Sequence, residues 1–203
     1  MDRRSLLTGA VAAGAMAALP GRAFAQAFSV SEQHRKILAI AAEQVERNRS
    51  RLWRADMAAV ADFALPSALP RFHFANLEQG SVRSFLVAHG RGSDPEHDGF
   101  LKIFSNVPNS YATSRGAYVT AEWYKGKYGT SIRLMGLDQD NSNVLERAIV
   151  LHPAWYANED MLPKWGKLGR SDGCFAMGEA DFNEALWHLS GGRLIYADKL
   201  DLG

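Results

Sequence analysis

A single cysteine, Cys174, restricts how this chain of 203 residues can be held together. One thiol cannot form an intrachain disulfide framework, and it excludes zinc or iron–sulfur sites built from several cysteines. The fold must therefore depend on a hydrophobic core. Hydrophobic residues make up 47% of the sequence, with five Trp and ten Phe, which argues against disorder. We expect a soluble globular protein of about one domain.

The charge balance argues against nucleic acid as a partner. Lys and Arg number 23 and Asp and Glu number 22, which gives a formal net charge of +1. A nearly neutral chain has no long-range attraction for phosphate backbones. We therefore expect no nucleic-acid partner.

The first 25 residues have the pattern of a twin-arginine export signal. Arg3 and Arg4 precede a weakly apolar Ala/Gly run, and Ala23-Phe24-Ala25 has the form of a signal-peptidase site. The alternative is a membrane anchor, but the apolar run is shorter than the roughly 20 residues that a spanning helix needs. We predict that residues 1–25 are a cleaved signal peptide, that the protein is periplasmic, and that no stable membrane span remains after cleavage.

The remaining chain predicts a mainly β domain with a few helices. In segment 26–49, Ser29 and Glu32 have the form of a capping box, and the apolar spacing that follows indicates an amphipathic N-terminal helix. Residues 50–203 are punctuated by Gly, Pro and Asn, and 90–114 have the composition of a long surface loop. The predicted strands cover 71–74, 82–88, 117–124, 131–137, 146–152 and 193–197, and the predicted helices cover 158–166 and 179–190.

The segment from His152 to Cys174 contains the candidate chemistry. A thiol nucleophile needs a base and small neighbours that let a carbonyl approach. His152 ends a predicted buried strand, and Gly173 removes a side chain directly before Cys174. Ser171 has a hydroxyl that can bond nearby backbone or orient the imidazole. The spacing indicates a Cys–His acyl-transfer site, and its alternative is a buried, inert cysteine.

His-x(18)-Ser-x-Gly-Cys resembles the catalytic motif of the YkuD-type L,D-transpeptidase family, in its exported murein L,D-transpeptidase branch. The resemblance implies a YkuD-like β-sandwich, a cysteine acylated by a murein tetrapeptide stem, and no cofactor. By position it implies that Cys174 is the nucleophile and His152 the general base and acid. Two departures from the branch are Pro153, where glycine is usual, and Phe175, where proline is usual. Further matching segments are 87–90, 104–108, 116–120, 134–137, 147–150 and 169–171.

Four further residues are candidates for substrate binding. Asp172 stands where the family often has His or Trp, and its charge should raise the pKa of Cys174 if it points inward. Arg170 can serve a carboxylate of the stem, because the arginine that many family members have after the cysteine is missing. Tyr156 follows the candidate base closely and can stack on substrate. His89 is expected near the site as a structural or substrate-contacting group.

Other functions with the same residues remain open at this stage. A carboxypeptidase shares the acyl intermediate of a transpeptidase, and a murein-binding module can retain the fold without activity. A thiol redox enzyme needs a resolving cysteine, which this chain does not have. A metal-dependent hydrolase would draw on His89 and the acidic stretch 94–98, whose spacing fits no helical metal motif, so we expect no metal. The expected partners are peptidoglycan peptide stems, and we expect a monomer.

Overall fold

The computed structural model describes residues 31–127, 129–200 and 202. The predicted signal peptide and the capping position at Ser29 lie outside these residues. The first helix of the described residues, α1, begins instead after Ser31, whose hydroxyl accepts a hydrogen bond from the backbone N–H of His34 at 3.1 Å.

The described part of the chain forms eight strands and three α-helices, and the prediction of a mainly β fold is confirmed. The helices are α1 (Glu32–Arg47), α2 (Leu162–Trp165) and α3 (Glu179–Leu189). The strands are β1 (Met57–Asp62), β2 (Phe72–Asn76), β3 (Ser81–Phe85), β4 (Gly116–Gly126), β5 (Gly129–Gly136), β6 (Val150–Pro153), β7 (Phe175–Met177) and β8 (Leu194–Asp198). The helices in this part of the chain are too short or too polar to span a membrane.

All eight strands belong to one mixed sheet in the order β3-β2-β1-β8-β4-β5-β6-β7. Neighbouring strands are antiparallel except for the pairs β1–β8 and β6–β7, which are parallel. The parallel pair β6–β7 is at one end of the sheet and carries the candidate catalytic residues. Because a parallel pair needs a crossover connection, the whole segment between β6 and β7 passes over this end of the sheet.

Hydrophobic side chains cover both faces of the central strands. On one face a cluster of Phe, Ile and Leu side chains includes Phe175 of β7, Leu151 of β6 and Phe182 of α3. On the other face Ile37 and Ala41 of α1 pack against the small side chains of β1 and against β8. Burial on both sides makes the sheet a rigid support for the residues at its β6–β7 end.

The structure differs from the sequence prediction in the segment 90–114. Its composition predicted a solvated surface loop, but Ser93, Asp94 and Thr113 are fully buried. Polar side chains satisfy the backbone of this loop: Ser93 Oγ accepts from Thr113 N at 2.9 Å, and the Asp94 carboxylate accepts from Gly99 N at 3.0 Å. These internal bonds let a polar segment pack as a wall beside the β6–β7 end of the sheet.

Candidate active site

The register of β6 and β7 places Cys174 and His152 on neighbouring strands at the same end of the sheet. Leu151 pairs with Phe175 and His152 pairs with Ala176, so Cys174, one residue before β7, lies diagonally across from His152. From the strand spacing and the rise per residue, the two Cα atoms are about 8 Å apart. Two side chains that project from the same face can meet across that separation. Both residues are buried, with exposed fractions of 1% for His152 and 7% for Cys174.

The imidazole of His152 has a defined tautomer. Nδ1 lies 2.9 Å from the carbonyl oxygen of Pro153. A carbonyl oxygen only accepts, so Nδ1 carries the hydrogen and Nε2 carries the basic lone pair. Burial lowers the pKa of His152 below its usual value, although the bond to Pro153 opposes that shift. At neutral pH the ring is therefore an uncharged base.

The thiol of Cys174 is also uncharged in the resting protein. Burial raises the pKa of Cys174 to about 11, and the negative charge of Asp172 adds to the shift. The backbone N–H of Val150, 3.5 Å from Sγ, and the positive charge of Arg147 act in the opposite direction. These effects favour a neutral thiol beside a neutral imidazole over a preformed thiolate–imidazolium pair.

Ser171 closes the turn that presents the sulfur. Its hydroxyl donates to the carbonyl oxygen of Cys174 at 2.6 Å and accepts from the backbone N–H of Gly173 at 3.2 Å. The backbone of Ser171 is held in turn by His89, whose carbonyl accepts from Ser171 N at 2.9 Å. The N–H of Gly173 is thus engaged by Ser171 rather than directed at a substrate oxygen. The predicted catalytic neighbours Ser171 and Gly173 lie in this turn.

Gly173 has a backbone conformation and surroundings that exclude a side chain. Its φ is +115°, and a Cβ there would lie 2.9 Å from the carbonyl oxygen of Ala112 and 3.3 Å from Nη2 of Arg147. The backbone of Gly90 also passes so close that a Cβ on Gly90 would lie 2.7 Å from the Cα of Gly173. The wall formed by 90–114 therefore touches the turn directly before the sulfur.

Comparison with known protein families identifies the family of this chain. A family model described as the L,D-transpeptidase catalytic domain (YkuD_2) matches residues 21–197. The chain belongs to this L,D-transpeptidase family. The family resemblance predicted from the motifs is confirmed, and the match covers the turn, both catalytic candidates and the wall. No curated protein sequence matches the chain significantly.

Solved structures of L,D-transpeptidases are similar to this family member. L,D-transpeptidase 3 from Mycobacterium tuberculosis, in complex with a faropenem-derived adduct, has a TM-score of 0.46 and 15% identity, over 70% of this chain and 60% of that chain. An L,D-transpeptidase from Mycobacterium smegmatis has a TM-score of 0.44 and 14% identity, over 70% of this chain and 58% of that one. The transpeptidase-family chain thus spans about three fifths of the length of these two proteins.

Asp172 of this L,D-transpeptidase domain is paired and half exposed. Its carboxylate accepts from Nε of Arg91 at 2.7 Å, and the guanidinium of Arg91 lies 3.7 Å from the ring centre of Tyr111. Asp172 also borders a cavity of about 290 Å³ beside the turn. We call it the Arg147 pocket; its lining residues are Pro108, Asn109, Tyr111, Glu146, Arg147 and Asp172.

Two predicted substrate-binding residues make contacts within the protein. The ring of His89 is buried, with Nη2 of Arg71 2.7 Å from Nδ1 and Asp94 3.4 Å from Nε2. Burial and the charge of Arg71 hold the pKa of His89 well below its usual range, so the ring is neutral. Arg170 donates to the backbone carbonyl of Asp94. In this structure both residues fix the start of the wall, and their role toward substrate stays a prediction.

Arg147 is a site residue that sequence reasoning missed. Its guanidinium donates to the carbonyl of Ser105 at 2.7 Å, to Oγ of Ser110 at 3.2 Å and to the carbonyl of Ala112. It therefore fastens the wall to the end of the sheet and places a positive charge next to Cys174. The arginine appeared in the matching segment 147–150, but only the tertiary structure shows that it approaches the sulfur.

Tyr156 lies on the other side of the site, in a pocket with Trp155 and Trp165. The Tyr156 ring packs on Gly169, where a Cβ would lie 2.6 Å from the Cβ of Tyr156.

Within the described residues, no group of three or more His, Cys, Asp or Glu side chains is arranged to hold a metal ion.

Proposed function

We propose that this chain is a cysteine-dependent L,D-transpeptidase that acts on the tetrapeptide stems of peptidoglycan. The observation that carries the proposal is the β6–β7 register, which sets Cys174 diagonally across from His152 on a rigid sheet edge. Family membership supports the reaction class. The neutral resting pair supports a mechanism in which the thiol loses its proton only as substrate is attacked.

In the first half-reaction, Nε2 of His152 takes the thiol proton while Sγ of Cys174 attacks the carbonyl carbon of the third stem residue. A carbon–sulfur bond forms, and the tetrahedral intermediate then expels the terminal D-alanine. The departing amine takes the proton back from His152, so the products are a thioester and free D-alanine. Charges appear on the pair only during the reaction, which suits two groups buried from water.

In the second half-reaction an amine from a neighbouring stem attacks the thioester carbonyl. His152 accepts a proton from that amine and returns it to the sulfur as the carbon–sulfur bond breaks, which leaves a cross-link between two stems. Water in place of the amine releases a tripeptide stem instead, the outcome of a carboxypeptidase. The open cavity next to Arg147 and Asp172 gives a second substrate a route to the turn.

Product analysis on isolated murein tests this proposal. Wild-type protein should release D-alanine and generate cross-links between the third residues of two stems, without inhibition by EDTA. Cys174→Ala should give neither product. Tripeptide stems without cross-links would identify a carboxypeptidase, and cross-links formed by Cys174→Ala would refute the cysteine mechanism.

Periplasmic location is part of the same proposal, because the substrate lies outside the cytoplasm. The supporting feature is the pattern around Arg3 and Arg4. Replacing both arginines with lysine should leave the unprocessed chain in the cytoplasm, detected by fractionation and by its retained N-terminal mass. Processing of the double variant at the wild-type rate would contradict the twin-arginine route.

A further inference from the structure

Beside the catalytic turn lies a cavity of about 390 Å³ that the reaction described above does not use. We call it the tryptophan pocket. Its volume is in the range of small-molecule sites. It is lined by His97, Trp155, Tyr156, Met161, Trp165, Lys167, Leu168 and Gly169.

The floor of the tryptophan pocket is continuous with the catalytic face of the sheet. Met161 and Leu168 are buried in a cluster that also contains Ala176 of β7. Ala176 is the register partner of His152. From the pocket, the chain continues through Gly169 and enters the catalytic turn at residue 171. The pocket and the catalytic pair therefore share one rigid surface.

The walls of the pocket are aromatic and open to solvent. Trp155 is 67% exposed and Trp165 is 69% exposed, which is unusual for the largest apolar side chain. The rings of Trp155 and Tyr156 meet edge to face, with centroids 5.9 Å apart. Contiguous exposed apolar patches mark binding surfaces, whereas a single exposed apolar side chain is ordinary.

The polar groups of the pocket carry no negative charge. No carboxylate belongs to the described residues that line it. His97 donates from Nε2 to the carbonyl of Leu168 at 3.1 Å, and Lys167 stands at the rim. The pocket therefore disfavours a cationic ligand and suits one with an apolar face and a hydroxyl or amide edge.

We propose that the tryptophan pocket binds a pyranose ring of the glycan strand to which the peptide stem is attached. This rests on the proposed function, and it names a second part of the same substrate. The axial C–H groups of a pyranose form an apolar face that an indole ring covers, while the hydroxyl and acetamido groups remain at the polar rim. The acetylated amino sugars of the glycan carry no cationic group, and their acetamido oxygens can accept a hydrogen bond from Lys167.

A short stem requires the glycan and the catalytic turn to bind close together on the protein. The attacked carbonyl belongs to the third stem residue, and an extended chain spans at most about 3.6 Å per residue, so the three residues reach about 11 Å from the group that joins the stem to the sugar. On the protein, Gly169 of the pocket is five residues before Cys174 in a folded turn. A sugar in the pocket would anchor the glycan while its stem reaches the sulfur.

Calorimetric titration with stem-free glycan chains tests the proposal. The chains are uncharged oligomers of N-acetylglucosamine, which have the pyranose rings and acetamido groups of the glycan but neither a peptide nor the carboxylate that peptide removal would expose on muramic acid, so the titration contains no acyl donor. Wild-type protein should bind them. Trp155→Ala and Trp165→Ala should each weaken binding about tenfold, the size of one aromatic stacking contact. Trp165→Phe should retain most of the affinity because it keeps an aromatic face.

Trp187→Ala is the matched control, because Trp187 is 82% exposed on α3 and does not line the pocket. It should bind the glycan like wild type. No binding by wild-type protein, or equal weakening in Trp187→Ala, would overturn the proposal. Trp155-dependent binding to phosphatidylglycerol vesicles in place of glycan would overturn it too, by assigning the pocket to lipid. Glycan binding by a protein that is never acylated would refute the proposed function and leave the pocket assignment intact.

Discussion

Replacing Gly173 with alanine tests how the turn presents the sulfur, because two effects coincide there. At φ +115° an L-residue is strained by about 1–3 kcal/mol. The added Cβ would also lie 2.9 Å from the carbonyl oxygen of Ala112, an overpacking that costs about 1–3 kcal/mol. Reduced freedom of the unfolded chain offsets about 0.4–1 kcal/mol. We expect a net loss of about 3 kcal/mol.

Two matched variants separate the backbone strain at Gly173 from the close contacts of an added Cβ. Gly191→Ala has strain alone, because φ is +81° and nothing lies within 4 Å of the added Cβ. Gly90→Ala has the contact alone, because φ is −71° but the Cβ would lie 2.3 Å from the carbonyl oxygen of Tyr111. Gly191→Ala should lose about 1 kcal/mol or less, whereas Gly90→Ala, whose Cβ would also lie 2.7 Å from the Cα and 2.8 Å from the N of Gly173, should lose about 3 kcal/mol.

Urea unfolding followed by circular dichroism measures the three free energies, and thermal unfolding supports them. A loss of 3 kcal/mol in a chain of this size lowers Tm by about 6–12 °C. The acylation rate measured under native conditions should fall in both Gly173→Ala and Gly90→Ala, because the Cβ added at either position strains Gly173, the residue bonded to Cys174, whereas Gly191→Ala should be acylated like wild type. If Gly173→Ala is as stable as Gly191→Ala, the close packing of wall and turn is refuted.

Three further predictions concern the same turn. The rate of Cys174 alkylation by iodoacetamide should be low at neutral pH and should rise until about pH 11. The reason is that a pKa raised from 9.0 to about 11 leaves about a hundredfold less thiolate below pH 9. A rate that already reaches its plateau at pH 7 would contradict the buried neutral thiol. Asp172→Asn removes a negative charge that raises this pKa, so the alkylation profile should shift to lower pH, while Asp140→Asn, remote from the sulfur, should leave the profile unchanged. Ser171→Ala deletes the bonds to Cys174 and Gly173 and should cost about 1–3 kcal/mol in unfolding free energy and slow acylation; equal acylation rates would show that the hydroxyl does not position the sulfur.

The hairpin of β2 and β3 and the helix α3 were predictable because their signals are local. Phe72 and Phe74 alternate with polar residues, and the apolar face of α3 ends at Gly191. The strand β1 was missed because Met57–Asp62 is rich in alanine, a weak strand former. Its place in the centre of the sheet follows from packing: small side chains leave room for α1 across the strand.

The chemistry of the candidate site was predictable, but the contacts that hold its residues in place were not. The spacing between His152 and Cys174 indicated both the candidate catalytic pair and the family of the chain. The pairing of three-residue β7 with β6, which fixes their geometry, has no local sequence signal. Arg147 and the wall were missed because their contacts join residues about 35 to 42 positions apart. Trp155 and Trp165 gave no periodic pattern that distinguishes them from core residues.

The central claim is that the sulfur of Cys174 becomes acylated with His152 as its base, and intact-mass spectrometry tests this most directly. After incubation with a free tetrapeptide stem, wild-type protein should gain the mass of the stem without its terminal D-alanine, and peptide mapping should locate the adduct on Cys174. Cys174→Ala should gain no mass, and His152→Gln should be acylated at least a hundredfold more slowly. The control His188→Gln, on the partly exposed face of α3, should match wild type. An unmodified Cys174 in protein that still releases D-alanine would contradict the account.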